Sequence, residues 1–101
     1  MDFRIIKSPS KGTLEIITKR IGMNQATKEI DFSQFDAIGL IQGKLIDMVC
    51  AADLAEKAAG IIAVDVRGSC PQNMILLAIF GDTASVETAI DDIKQKMKKR
   101  G

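Results

Sequence analysis

The chain reads as an α+β protein, an antiparallel sheet with helices on its faces. Three observations predict this. Short β-branched runs alternate with segments of helical period, in the order β-α-β-α-β-β-α. Two of the apolar runs, "IIAVDVR" and "MILLAIFG", are separated only by the turn-rich "GSCPQN", so they read as adjacent strands of one sheet. The chain has 101 residues, which is one domain with one modest core.

Each element follows from local chemistry. "FRIIK" (3–7) is short and β-branched, and "SPS" bounds it, which predicts a strand. Pro9 stops any helix running in from before it, and Ser10 can cap the next one. In "GTLEIITKRIG", Leu14, Ile17 and Ile21 recur at helical spacing, with Lys19 and Arg20 in the last turn and Gly22 as the stop. Residues 23–34 are polar and weakly patterned and read as a linker with room for a turn of helix. "FDAIGLIQG" (35–43) reads as the second strand. From Lys44 to Ala59 there is no proline or glycine, and Leu45, Met48, Val49, Ala52, Ala55 and Ala59 are predicted to share one face. Gly60 ends that helix.

Residues 61–67 and 74–81 are the third and fourth strands. Asp82 can accept from the first backbone N–H groups of the last helix. Val86, Ala89, Ile90, Ile93 and Met97 form its apolar stripe. Lys96, Lys98, Lys99 and Arg100 gather at its C-terminal end, where the helix dipole favours cations and where a solvated basic end needs no ligand.

Composition narrows function. Hydrophobic residues are 47% and charged residues 27%, and the formal net charge is +1, so nothing draws the chain to nucleic acid or to a membrane surface. The aromatics are four Phe, with no Trp or Tyr, a poor basis for stacking bases. No apolar run is long enough to span a bilayer, and the start lacks a signal-peptide layout, so a cytosolic chain with reduced thiols is expected. There is no histidine, which removes Cys-His and Ser-His catalysis and His-containing metal sites.

The chemistry-bearing residue is Cys70, in the turn Arg67-Gly68-Ser69-Cys70-Pro71. Gly68 permits positive φ, Pro71 stiffens the exit, and Arg67 could lower the thiol pKa. One chain offers this thiol no ligand partner, so metal ligand, nucleophile and small turn residue all remain open. Cys50 lies mid-helix among apolar residues and reads as a small buried hydrophobe. Asp65, Asp91 and Asp92 lack a neighbouring base or nucleophile and read as surface charge.

Three stretches carry a family resemblance. "AIGLIQGKLIDMVCAADLAEKAAGI" (37–61), with Lys57-Ala58-Ala59, resembles the opening strand and long helix of the bacterial microcompartment shell domain. "IIAVDVRGSCPQNMILLAIFGD" (61–82) resembles its central strands around the pore loop, and "TASVETAIDDIKQKMK" (83–98) its second helix. "RIIKSPSKGTLEII" (4–17) resembles the segment normally found last, which identifies the circularly permuted form of the domain. The resemblance implies one such domain over 1–101: a permuted strand–helix unit (1–22), a linker (23–34) and the main body (35–101), with a four-stranded antiparallel sheet.

It further implies a structural shell protein in the bacterial cytoplasm, not an enzyme, forming cyclic homohexamers and associating with other shell proteins. Lys57 would lie at the contact between hexamers. Within the permuted group, Gly68-Ser69-Cys70-Pro71 resembles the U-type branch of glycyl-radical propanediol microcompartments. That branch carries an iron–sulfur cluster at the pore. The resemblance therefore implies Cys70 as ligand to a cluster of the four-iron type shared between subunits, with electron transfer or cluster delivery across the shell, and with glycyl-radical pathway enzymes enclosed. The alternative is a tile with an open or gated pore for small metabolites and no metal. Two departures stand out. Lys7-Ser8-Pro9 replaces the family's Pro-Arg-Pro, so its arginine is missing, and the usual glycine-rich pore loop is replaced.

Overall fold

A computed structural model describes residues 1–21, 29–58, 60–67 and 74–98. The elements are β1 (Asp2–Lys7), α1 (Lys11–Thr18), a 3-10 turn (Phe32–Gln34), β2 (Ala37–Lys44), α2 (Leu45–Glu56), β3 (Ile62–Val66), β4 (Met74–Gly81) and α3 (Thr83–Lys98). The four strands form one antiparallel sheet in the order β1-β2-β4-β3. This is the predicted α+β architecture and element order.

Strand alternation divides the core in two. Ala37 and Ile41 of β2 and Leu77 and Ile79 of β4 face one side, where they meet Met48, Ala51 and Ala55 of α2 and Val86, Ala89, Ile90 and Ile93 of α3. Ile38 of β2, Ala78 and Phe80 of β4, and Val64 and Val66 of β3 face the other side, under Ile17, Ile21 and Phe32. Phe32 lies 4.6 Å from Phe80, ring centroid to centroid, in a tilted pair.

Both predicted caps are present. Ser10 Oγ accepts from the Thr13 N–H at 3.2 Å, and Asp82 Oδ1 accepts from the Ser85 N–H at 2.7 Å. The predicted stripe of α3 is buried from Val86 to Ile93, with Met97 partly covered. Gly81 leaves no room for a side chain, since an added Cβ would stand 2.8 Å from the Gly60 carbonyl oxygen.

Three expectations are corrected. The first helix stops at Thr18. Arg20 and Ile21 then make tighter bonds to Ile17 and Thr18, and Ile21 leaves the helix to bridge Val66. Lys19 and Arg20 therefore lie beyond the helix. The second strand starts at Ala37, because Phe35 turns inward beside Phe80 and the Asp36 carbonyl accepts from the Ser8 N–H at 2.8 Å. The third concerns the buried face of α2. Met48, Ala51 and Ala55 are buried, but Leu45 is 47% and Val49 62% exposed. Successive helical residues turn by about 100°, which puts Val49 and Ile46 outside the row that meets the sheet.

Within the stretch 23–34, the described residues 29–34 carry the 3-10 turn, and its Phe32 is buried in the core. The expectations for Gly22, residues 23–28, Ala59 and the basic end from Lys99 onward lie outside the described residues.

Candidate functional site

The turn Gly68-Ser69-Cys70-Pro71 lies outside the described residues; its two stems do not. β3 and β4 pair antiparallel, with Val66 opposite Leu76, so the turn leaves the sheet at that end. Val66 is buried and fixes the stem. Arg67 is exposed, and its N–H donates to the Arg20 carbonyl at 2.7 Å. The segment after α1 is thus stitched to the base of the Cys70 turn. Sequence reasoning missed Arg20 as a neighbour of that turn, because only the nonlocal Ile21–Val66 bridge brings it there.

The same end of the sheet carries the start of α2. Lys44 pairs with Met74, and the helix begins at the next residue, with no side-chain cap bond at Lys44. Its first turns expose Leu45 at 47%, Ile46 at 74% and Val49 at 62%. These side chains form an apolar arc at the end of the molecule from which the Cys70 turn emerges. Cys50 is half-buried on this helix, where full burial was expected.

Lys57 closes the other end of α2 as its C-cap residue. It is exposed, and its Nζ pairs with Asp53 Oδ2 at 2.8 Å, one helical turn back. The twelve residues of α2 separate Lys57 from the Cys70 end by about 18 Å at 1.5 Å per residue. Asp65 is exposed on β3, Asp91 is exposed on α3, and Asp92 pairs with Lys96 at 3.2 Å. These serve as surface charge, as expected.

Two carboxyls are held below the usual carboxylate range. Asp82 is lowered by hydrogen bonds from the Ser85 side chain and then its backbone N–H. Asp31 is lowered likewise by Ser33, whose hydroxyl donates to Asp31 Oδ1 at 2.5 Å. Both work as caps. Among the described residues, no group of three cysteine, aspartate or glutamate side chains stands close enough to hold a metal ion.

A four-stranded antiparallel sheet in the order β1-β2-β4-β3 with two helices packed on one face is the architecture of a shell domain, and residues 37–101 match the BMC domain family. The chain belongs to that family, whose members build bacterial microcompartment shells. Among solved structures it is similar to the GrpU microcompartment shell protein of Clostridiales bacterium 1_7_47FAA, in its ligand-free form. The identity is 52%, the match covers 97% of this chain and 93% of that chain, and the TM-score is 0.73. The ligand-free GrpU shell protein of Pectobacterium wasabiae is 31% identical over 92% of this chain and 99% of that chain, with a TM-score of 0.72. No curated protein matches the chain. It is a structural shell protein rather than an enzyme, and it resides in the microcompartment shell of the bacterial cytoplasm. Shell proteins of this kind oligomerise and associate with other shell proteins.

Proposed function

We propose that the protein forms a cyclic homohexamer closed around the Cys70 turns, and that Cys70 thiolates from several chains hold an iron–sulfur cluster at the ring axis. The observation that carries this reading is the exposed arc Leu45-Ile46-Val49 at the end of the chain that bears the turn. Full burial of such a side chain stabilises by about 1.5–3 kcal/mol. A neighbour seated on that arc would bring its own turn close, and a contact between two unlike surfaces closes a ring when its rotation divides the full circle.

The donor set fits a shared cluster. A four-iron cluster takes four thiolates, and one chain supplies Cys70 alone from this turn. The thiolates must therefore come from different chains, and a subset of a six-fold ring suffices. A bound cluster would supply one-electron transfer, or be cargo for delivery, across the shell. This chain's own part is to present the thiol. Val66 anchors the entry of the turn, Arg67 adds positive charge beside the thiolates, and Pro71 stiffens the exit.

Two assignments accompany this reading. Residues 1–22 are the permuted strand–helix unit, since β1 completes the sheet from outside the family match over 37–101. Lys57 lies at the rim, where hexamers meet each other or other shell proteins, at the end of α2 opposite the turn. Enzymes of a glycyl-radical pathway are the enclosed partners that go with this reading.

The test starts with native mass, which should show a hexamer. Protein prepared without oxygen should then contain iron and sulfide and absorb visible light. Cys70→Ser should abolish all three signals, whereas Cys50→Ser should keep them. Colourless, iron-free hexamers after anaerobic reconstitution would leave a metal-free pore for small metabolites in place of the cluster. A stable monomer would sink both readings.

A further inference from the structure

The bridge between Ile21 and Val66 has a side effect. It brings the backbone of Arg20 against that of Arg67, joined by the 2.7 Å bond from the Arg67 N–H to the Arg20 carbonyl. Two like charges carried on backbone this close repel. Both side chains are exposed. Among the described residues the ion pairs are Lys7–Glu87, Lys57–Asp53 and Lys96–Asp92, so no carboxylate there pairs with either arginine. The acid nearest along the strand is Asp65, two residues before Arg67 and exposed on the same side of β3.

We propose that Arg20 and Arg67 form a binding site for a tetrahedral dianion of the phosphate type. A guanidinium presents a planar fork of donors that matches two oxygens of an oxyanion, and two forks side by side match a doubly charged one. The bound anion replaces the repulsion between the arginines with two attractions. The site is built from one chain's backbone pairing and does not rest on the ring or on the cluster. If the ring forms, each chain contributes one such site at the base of its Cys70 turn. Anionic solutes would then concentrate around the pore.

Titration of the full chain with inorganic phosphate, against chloride at matched ionic strength, tests this. Binding is read by calorimetry and by the shift of the Arg67 amide resonance. Phosphate should bind where chloride does not. Arg20→Gln and Arg67→Gln should each weaken it about tenfold or more, the scale of a lost charged hydrogen bond. Both side chains are exposed, so the far-ultraviolet circular dichroism of either variant should match the parent. Asp65→Asn should tighten binding, and Cys70→Ser should leave it unchanged. A small phosphate monoester run beside inorganic phosphate separates the sources. Tighter ester binding assigns the site to a phosphorylated metabolite; equal or weaker binding assigns it to the free ion. Equal effects of phosphate and chloride would reduce the arginines to salt screening and overturn the site. Parent-like affinity in both glutamine variants, or loss of affinity in Cys70→Ser, would overturn it as well.

Discussion

Helices α2 and α3 lie on the same face of the sheet, yet only one of them is finished within the chain. α3 is ordinary in design. Val86, Ala89, Ile90 and Ile93 point inward and are buried, while mostly polar and charged residues occupy the rest of its circumference. α2 is apolar over most of its circumference. It meets the sheet through Met48, Ala51 and Ala55 and leaves Leu45, Ile46 and Val49 outside. The small residues face inward because the helix lies close to the sheet, and the large ones are left for another surface. A helix apolar all round is normally covered all round. α3 is therefore a folding element, and α2 is a folding element on one side and, in the proposed ring, an assembly element on the other.

The sharpest way to break that comparison is to shorten one side chain on α3. Ile90 is 1% exposed and packs between the strands and both helices. Ile90→Ala should destabilise the isolated chain by about 2–5 kcal/mol, from lost burial and the cavity left behind. That is a large part of the stability of a domain this size. The denaturant midpoint should fall with little change in slope. A loss below about 1 kcal/mol would mean that α3 is not the finished core element it appears in the packing.

The matching change on α2 should do the reverse. Ile46→Gln with Val49→Gln removes apolar surface that nothing in the chain covers, and glutamine keeps helix propensity. Folding of the isolated chain should shift by no more than about 0.5 kcal/mol per site, the ordinary range for exposed positions. Native mass should drop from the proposed ring to smaller species. An intact ring would free this arc from any assembly role, and a chain that fails to fold would erase the distinction between the two helices.

The contrast also explains what the sequence could and could not disclose. On α3, polar and apolar residues separate cleanly, so the stripe and the Asp82 cap were legible. On α2 the bulky residues drew the eye. Leu45 and Val49 fit a helical spacing with Met48, but the true inner row runs through alanines, whose role depends on how near the sheet lies. Ile21 is a similar case. It continues the spacing of Leu14 and Ile17, and only its pairing with Val66, 45 positions along the chain, takes it out of the helix. Arg20 was overlooked for that reason. The Cys70 turn was legible as a place, because turn residues and flanking strands mark it. Its chemistry was not legible from the residues of one chain, since the ligand set proposed for it, drawn from several copies, leaves only one member in the sequence.

The smallest expected effect lies at the helix starts. α3 begins with a side-chain cap and α2 does not; β2 runs straight into α2 at Lys44. Hydrogen bonds from Ser85 favour the charged form of Asp82, so its pKa is lower in the folded chain than in the unfolded one. The stability it contributes is fully present above the unfolded value, near 3.9, and is lost as pH falls through the folded value. Asn caps about as well as Asp. Asp82→Asn should therefore leave the denaturant midpoint nearly unchanged at pH 7 and make it fall less between pH 4 and pH 2. Asp31 is shifted in the same direction by Ser33, so part of the acid sensitivity should survive in the single variant and shrink further when Asp31→Asn is added. The readout is the difference between the two midpoints, neutral and acid, for each protein. An acid loss in Asp82→Asn as large as in the parent would show that the start of α3 is held by the buried stripe behind it, as the start of α2 is held by the strand before it, and that its cap does not titrate with the fold.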